Sequence, residues 1–388
     1  MRILHTADWH LGKTLKGVDR TAEIAGALDE VLRIVKEERV ELLVAAGDLF
    51  DRPQVPSEAE AVFYDFLMRL KELGVPLLGV AGNHDPRGRL AAMEGVLGVL
   101  GAEIGAELRL KEEGGVRARG ELRAALLPFL SERRLVRGTE LFEKEAGERM
   151  GSYADRMRLV LANLAQGFSR DTANLLVGHM TIEGANLRLG GGEFTFYVGN
   201  SYAVKPESLP LSAGYVALGH IHRQQRVWDA PLAYYSGSLV QLDFGEGEDA
   251  PRGAVLVELV PGRPARVLAE IRERWGKPLK TFRLDLSELD RRVGEVESFP
   301  GFAKLVLRGR PDPVLRERLL ADNPHLLEVV FEAEGKEAEE GGGEVRRLGL
   351  EEAYVLYHER AYATPPDERL MRAFRQAYEE AGDAAALA

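Results

Sequence analysis

Five short motifs hold the side chains in this chain that could bind metal ions and move protons. They are Asp8 and His10 in "ADWH", Asp48 and Asp51 in "GDLFD", Asn83, His84 and Asp85 in "GNHD", His179 in "VGH", and His220 and His222 in "GHIH". Five of the chain's eight histidines fall in this set, which argues against a separate structural role for each. Burying several carboxylates together with imidazoles is costly unless cations compensate them. The chain has no cysteine, so a metal would be held by His, Asp, Glu or Asn, and disulfides, thiolate ligands and cysteine nucleophiles are excluded. Oxygen and imidazole donors without sulfur suit Mn2+, Fe2+ or Zn2+ in sites of about five or six ligands. Seven ligand candidates are more than one tetrahedral zinc uses. Two ions sharing a bridging carboxylate fit that count. Such a pair, ~3.5–4 Å apart, suits phosphoester hydrolysis because it generates a nucleophile near neutral pH and stabilises both attacking and leaving oxygens. Gly47, Gly82, Gly178 and Gly219 stand just before ligand candidates, where they permit tight turns and the close approach of a phosphate.

Each motif ends an apolar run, and those runs alternate with amphipathic stretches, the pattern of an α/β domain. Strands are predicted at "RILHTAD", "VELLVAAGD", "VPLLGVAGNHD", "NLLVGH" and "YVALGHIH". Between the first two, Ile24, Leu28, Val31, Leu32 and Val35 recur at helical spacing. A second helix is expected over "SEAEAVFYDFLMRLKELG", with Gly74 as its C-cap. In open α/β sheets the carboxyl edge is where ligands bind, so five strands ending in His, Asp or Asn point to one shared site. From about residue 230 the runs become shorter and more alternating, a β-rich continuation of the same domain. "KTFRLDL", "AKLVLRG" and the helical "PVLRERLLAD" predict a small α+β module over residues 280–333.

Net charge is −11, yet residues 328–344 hold seven Glu and one Lys, −6 in all, which leaves −5 for the rest of the chain. A Glu/Gly run of this kind reads as a solvated linker, and the remainder is not acidic enough to exclude a phosphate-bearing partner. Beyond it lie two amphipathic stripes, Leu350, Ala353, Tyr354, Tyr357 and Ala361, then Leu370, Met371, Phe374, Ala377, Tyr378 and Ala381. The second is expected to start with Thr364 as N-cap and Asp367 three residues on. These stripes either pack on their own domain or dock another protein. The N-terminus reaches polar residues at once and no apolar run approaches the ~20 residues that span a bilayer. Neither a signal peptide nor a membrane helix is expected, and the chain reads as cytoplasmic.

Taken in order, D-x-H, GD-x-x-D, GNHD, GH and GH-x-H resemble the calcineurin-like metallophosphoesterase superfamily over roughly residues 1–245. "LHTADWHLG", "GDLFDRPQVPS", "YVALGHIHRQQ" and "YYSGSLVQLDFGE" are similar to the SbcD family of DNA repair nuclease subunits. The resemblance implies a four-layer αββα sandwich over residues 1–275, a capping module over 276–335, an acidic Gly-rich linker over 336–345 and a helical region over 346–388 that binds an SbcC-type ATPase. It further implies two divalent ions, Mn2+ in this family. One would be held by Asp8, His10, Asp48 and His222, the other by Asp48, Asn83, His179 and His220, with Asp48 bridging. His84 would face the scissile phosphate, stabilising the transition state or protonating the leaving oxygen. Asp85 would orient an imidazole or form a turn. Some archaeal relatives carry a second His where this chain has Asp51, so Asp51 is expected only to support the loop after Asp48.

The activity implied is exonucleolytic on duplex DNA ends and endonucleolytic on single strands and hairpins, in a heterotetramer built on a nuclease homodimer. Lys13, Lys16, Arg52, Arg87, Arg89, Arg188 and Arg223 follow the motifs directly and are candidate phosphate contacts. Leu350, Tyr354, Tyr357, Leu370, Phe374 and Tyr378 are candidate contacts to the ATPase. A phosphomonoesterase or small-molecule phosphodiesterase would keep every metal ligand but would not require the ~110 residues beyond the catalytic domain. A metal-stabilised, non-catalytic scaffold would have no need of His84.

Overall fold

Continuously apolar runs form strands whose successive side chains feed a core on each face, and this governs the architecture. The computed structural model describes residues 1–146, 152–186 and 203–332, with isolated residues from 354 to 374. In chain order the elements are β1 (Arg2–Thr6), α1 (Thr21–Glu37), β2 (Leu42–Ala45), α2 (Ser57–Glu72), β3 (Leu77–Val80), α3 (Arg87–Ala92), α4 (Glu94–Val99), β4 (Ala102–Gly105), β5 (Val116–Arg119), β6 (Leu122–Leu127), α5 (Glu132–Ala146), α6 (Tyr153–Ala165), β7 (Ala173–His179) and β8 (Tyr215–Gly219). They continue with β9 (Gln225–Asp229), β10 (Leu232–Tyr235), β11 (Ala254–Glu258), β12 (Arg266–Ile271), β13 (Leu279–Asp285), α7 (Leu289–Glu297), β14 (Phe302–Arg308), α8 (Pro313–Asp322) and β15 (Leu326–Glu332).

One six-stranded sheet has the order β12-β11-β1-β2-β3-β4 and the other β9-β10-β8-β7-β6-β5. Strands β1 to β4 run parallel, as do β6, β7, β8 and β10, while the outer strands are antiparallel. Side chains at alternate positions part company: Ile3, Leu42, Val44 and Leu78 meet Leu122, Ala124 and Leu126, with Leu175, Val177 and Ala217, in the core between the sheets. Leu4, Leu43, Ala45 and Leu77 turn instead to α1 and α2. Outside the second sheet, Leu176, Val216 and Leu218 cover Met157, Val160, Leu161 and Leu164 of α6. The layers are therefore helix, sheet, sheet, helix. The stripe Ile24, Leu28, Val31, Leu32 and Val35 is buried as its spacing predicts. Gly74, at φ +72°, donates to Lys71 O at 2.9 Å and closes α2.

The small module is a parallel sheet, β13-β14-β15, backed by α7 and α8. Its third strand corrects the reading of residues 328–344 as solvated linker, because Glu328 to Glu332 form most of β15. Glu328 pairs with Lys16 at 2.8 Å and with Lys304 at 2.9 Å, and Leu326 and Val329, on either side of a shift in register, enter the module core. The module docks on the sandwich through Leu279 and Phe302, which bury Leu15 together with Val18 and Phe244. The buried Arg20 guanidinium bonds Glu23 and Gln241 O and lies over the Phe302 ring. In the C-terminal stripes, Tyr354 stacks on Phe374 with centroids 4.0 Å apart, while Leu370 is partly exposed. Leu350, Tyr357 and Tyr378 lie outside the described residues, as does Thr364. The last helix begins later than its expected Thr364 cap, for Asp367 Oδ1 accepts from Leu370 N at 2.7 Å and its carbonyl from Met371 N. A proline at position 366 accounts for the delay, since proline disfavours helical ψ at the residue before it.

Candidate metal centre

All five motifs converge where the carboxyl ends of β1, β2 and β3 meet those of β7 and β8 from the opposite sheet. The loops after β1 and β2 are zipped together, Asp8 N donating to Gly47 O, His10 N to Asp48 O and Asp51 N to Leu11 O, each at 3.0 Å. Trp9 points away from the cluster, buried against Phe66 with its indole N–H on Thr6 Oγ1, and so anchors the loop between Asp8 and His10. Asp8, His10 and Asp48 sit at φ near +50° and His220 at +100°, a strained backbone maintained by surrounding structure and characteristic of functional sites. Three of the four glycines are required by close approach. A Cβ on Gly47 would lie 2.2 Å from His179, one on Gly82 2.0 Å from Asp48, and one on Gly219 2.0 Å from Ala46 O. Gly178 differs, meeting only the flexible end of Met180 at 3.2 Å.

Three overlapping triplets offer ligand atoms within 4.8 Å of one another: Asp8, His10 and His222; His10, Asp48 and His84; and Asp48, His179 and His220. Asn83 Oδ1 joins the third, 3.1 Å from His179 Nε2 and 3.0 Å from His220 Nδ1. Asp48 lies between the two ends. Its Oδ1 accepts the His84 backbone N–H at 2.8 Å, leaving Oδ2 at 3.7 Å from His10 Nε2 and 3.3 Å from His179 Nε2.

The protonation pattern tests whether these residues suit cations. His10 Nδ1 is 3.1 Å from Asp51 Oδ1, His222 Nδ1 is 2.7 Å from Glu246 Oε1, and His179 Nδ1 is 2.8 Å from Ala46 O. Carboxylate and carbonyl oxygens only accept, so each Nδ1 carries its proton and each Nε2 faces inward, its lone pair available whenever the ring is neutral. His10 Nε2 and His222 Nε2 then face each other at 3.2 Å, and His179 Nε2 faces the oxygens of Asn83 and Asp48. Acceptors turned on acceptors in a dry pocket repel one another unless a proton or a metal cation lies among them. The donor set fits divalent metal ions, and imidazoles braced through their second nitrogen are the usual metal-ligand arrangement. His5 provides the contrast: it donates from Nε2 to Leu218 O and accepts at Nδ1 from Tyr215 Oη, so both nitrogens are satisfied and burial lowers its pKa to about 3.

Electrostatics agree. Burial, reinforced by Asp48, pushes the Asp8 carboxyl up to about 7. Burial alone would lower His179, but the Asp48 carboxylate beside it prevails and raises the imidazole to about 9. Burial pushes His10 down to about 4 and His220 to about 3. An anionic pocket shut off from water thus alternates between protonating a carboxylate and charging an imidazole, a conflict that bound cations remove.

His84 Nδ1 donates to Asp51 O at 2.8 Å, which leaves Nε2 free to face a ligand, with its ring 4.8 Å from that of His10. Asp51 does more than support a loop: it bonds His10 and pairs with Lys13 at 3.1 Å. Among the described residues Asp85 bonds no imidazole. Its oxygens accept from Phe50 N at 2.9 Å and Gly82 N at 2.7 Å, so it shapes the turn after β3. Among the candidate phosphate contacts, Lys16 is engaged with Glu328 and Arg89 with Glu60. Arg87 is half-buried, bonded to Gly82 O and Phe129 O and lying on the Phe129 ring, because the loop carbonyls there need a donor. Arg52 is exposed, Arg223 half-buried, and Arg188 lies outside the described residues together with most of the loop at 183–194. Glu246, which braces His222 and accepts from Leu242 N at 3.0 Å, escapes sequence reasoning because it sits in an acidic Gly-rich loop 24 residues after its partner.

Comparison with known proteins accords with this geometry. The calcineurin-like phosphoesterase family model matches residues 1–224. The SbcCD nuclease D subunit of Bacillus subtilis is 34% identical over 96% of this chain and 97% of its own length. The proteins of that name from Rhodobacter capsulatus and Escherichia coli K12 are 34% and 30% identical, over 69% and 63% of this chain and 68% and 62% of theirs. With the family model spanning over half the chain and the Bacillus alignment nearly all of it, the chain belongs to the calcineurin-like phosphoesterase family, in the branch of the SbcCD nuclease D subunits.

Proposed function

We propose that this chain is the metal-dependent nuclease subunit of an SbcCD-type complex, hydrolysing DNA phosphodiesters at duplex ends, in single strands and at hairpins. The observation that carries this reading is the inward-facing acceptor cluster at the joined edges of the two sheets. In it, Asp8, His10, Asp48 and His222 would hold one divalent ion and Asp48, Asn83, His179 and His220 the other. Mn2+, the ion that the family resemblance implies, is compatible with this mixture of oxygen and imidazole donors. When bound, such a pair activates water near neutral pH and neutralises charge on phosphate oxygens. Asp48, with Oδ2 placed between His10 and His179, would be shared by the two positions. Asp51, Glu246 and Ala46 O keep the lone pairs of His10, His222 and His179 turned inward. His84, fixed through Nδ1, presents Nε2 to the scissile phosphate, as a hydrogen-bond donor to it or as the acid that protonates the leaving oxygen.

Arg52 and Arg223 remain suited to flanking phosphates. The stacked Tyr354–Phe374 pair belongs to a C-terminal region that binds the SbcC-type ATPase, and two copies of the chain form the core of the assembly. The assembly acts on DNA in the cytoplasm; no helix among the described residues is long and apolar enough to cross a membrane. The test is Mn2+-dependent cleavage of an end-labelled DNA hairpin beside a phosphomonoester, with His84→Gln as the paired variant. Hairpin cleavage by the wild type and its loss, by 100-fold or more, in a His84→Gln protein that still binds metal is the expected result. Hydrolysis of the monoester alone would refute the DNA assignment.

A further inference from the structure

Three of the candidate ligand imidazoles are braced through the nitrogen that faces away from the ions: His10 by Asp51, His222 by Glu246 and His179 by Ala46 O. His220 has no such brace. Its Nδ1 is turned to Asn83 Oδ1 at 3.0 Å, and its Nε2 bonds nothing among the described residues. Its backbone N–H donates to both Asp8 oxygens, at 3.0 and 3.2 Å, but a fixed backbone leaves the ring free to turn about its side-chain bonds. What touches the ring is aromatic: His179 edge-on, with centroids 5.1 Å apart, and Phe129 at 5.8 Å, inclined by only 33°. Offset rings at that spacing attract. Phe129 is firmly set. Its N–H donates to Ala81 O at 2.9 Å, and its carbonyl accepts from the Arg87 guanidinium, which also bonds Gly82 O at 3.4 Å, so its main chain is tied on both sides to the turn that carries Asn83. The same guanidinium lies over the Phe129 ring, 5.6 Å from its centroid. Among the described residues the half-buried Phe129 belongs to none of the hydrophobic cores of the sandwich, so filling a core does not account for it.

We propose that Phe129 is a positioning residue for the second ion: its ring, set by Arg87, holds the His220 imidazole by stacking, as a hydrogen-bond acceptor holds each of the other three. The inference rests on the two-ion reading of the site and assigns that site a further residue. A ligand ring already fixed in its bound orientation gives up no rotational freedom when the ion arrives, which is how a contact outside the coordination sphere raises affinity. The two positions then rest on different supports. Carboxylates, Asp51 and Glu246, brace the imidazoles of the first, whereas a backbone carbonyl and a hydrocarbon ring brace those of the second. Mutation can therefore separate them.

The test is calorimetric titration of metal-stripped protein with Mn2+, comparing the wild type with Phe129→Ala, Phe129→Tyr and Glu246→Gln, each checked for an unchanged thermal transition without metal. Phe129→Ala should weaken one ion about tenfold, the scale of losing a contact that orients a ligand, and leave the other at its wild-type affinity. Phe129→Tyr, which keeps the ring face, should restore the wild-type isotherm. Glu246→Gln acts on the ion that His222 would hold, so the Phe129→Ala/Glu246→Gln double variant should keep neither ion at wild-type affinity, a pattern that general damage from Phe129→Ala would not produce. If alanine lowers the metal-free transition, Phe129→Leu, which keeps apolar volume without the flat face, takes its place and should show the same selective loss. Wild-type affinity for both ions in Phe129→Ala, equal weakening of both, or a loss that Phe129→Tyr fails to restore would overturn the role of the ring while leaving the two-ion reading intact. A wild type that binds fewer than two ions would remove that reading, and the inference with it.

Discussion

Direction of the imidazole lone pairs distinguishes the histidines of this protein better than burial does. His5 and His10 are both buried, but His5 satisfies each nitrogen within the fold while His10 turns an unprotonated nitrogen toward that of His222. Two expectations follow at this scale. Replacing Glu246 by Gln keeps an acceptor for His222 Nδ1 but removes the charge that strengthens it, and Mn2+ affinity measured by calorimetry should fall ten- to a hundredfold, with the fold intact. For His5, the folded pKa near 3 lies below the unfolded value of 6.5, so between those pH values the unfolded chain binds more protons and stability falls as pH falls. Urea unfolding at pH 7.5 and pH 5 should therefore show the wild type losing about 2 kcal/mol more than His5→Gln, at 1.36 kcal/mol per pK unit. Residue types made most of the site legible in the sequence, because His, Asp and Asn concentrated at the ends of apolar runs are hard to bury without a cation. Glu246 was not legible: its loop, "DFGEGEDA", contains several carboxylates that look equally solvated until the fold turns one of them toward His222.

At the scale of elements, the site exists because two sheets bring their carboxyl edges within van der Waals contact, and glycines permit it. Gly219 ends β8 where any Cβ would strike Ala46 O at 2.0 Å and Ala7 Cβ at 3.0 Å, whereas Gly178 in β7 has only a flexible side-chain methyl close by. Gly219→Ala should thus lower the thermal transition markedly and abolish metal binding, while Gly178→Ala should alter either only slightly; comparable effects of the two would contradict the role assigned to close approach. The strands carrying ligands were readable because both faces are buried and the runs are continuously apolar. β15 was not: "LLEVVFE" presents Glu328 to Lys16 and Lys304, and neighbouring Glu and Gly residues made the whole stretch resemble a solvated linker. The strands β4 to β6 and helices α5 and α6 were equally undeclared; β4 and β5 have only four residues each, whereas α5 and α6, with 15 and 13 residues, carry none of the metal-binding motifs that drew attention to the other elements.

At the scale of the molecule, the small module is tied to the metal centre through the first loop. Leu279 and Phe302 of the module bury Leu15, two residues beyond Lys13, which pairs with Asp51, the carboxylate that braces His10. Module and site are thereby parts of one structure, in keeping with a substrate long enough to touch both. The central claim is that the convergent His, Asp and Asn side chains form a centre for two ions. Metal-stripped protein titrated calorimetrically with Mn2+, with bound metal counted by elemental analysis, tests it most directly. Two ions per chain are expected in the wild type, and loss of tight binding at both positions in Asp48→Ala, since Asp48 Oδ2 lies between His10 and His179. One ion per chain, or an Asp48→Ala protein that still binds two, would contradict it.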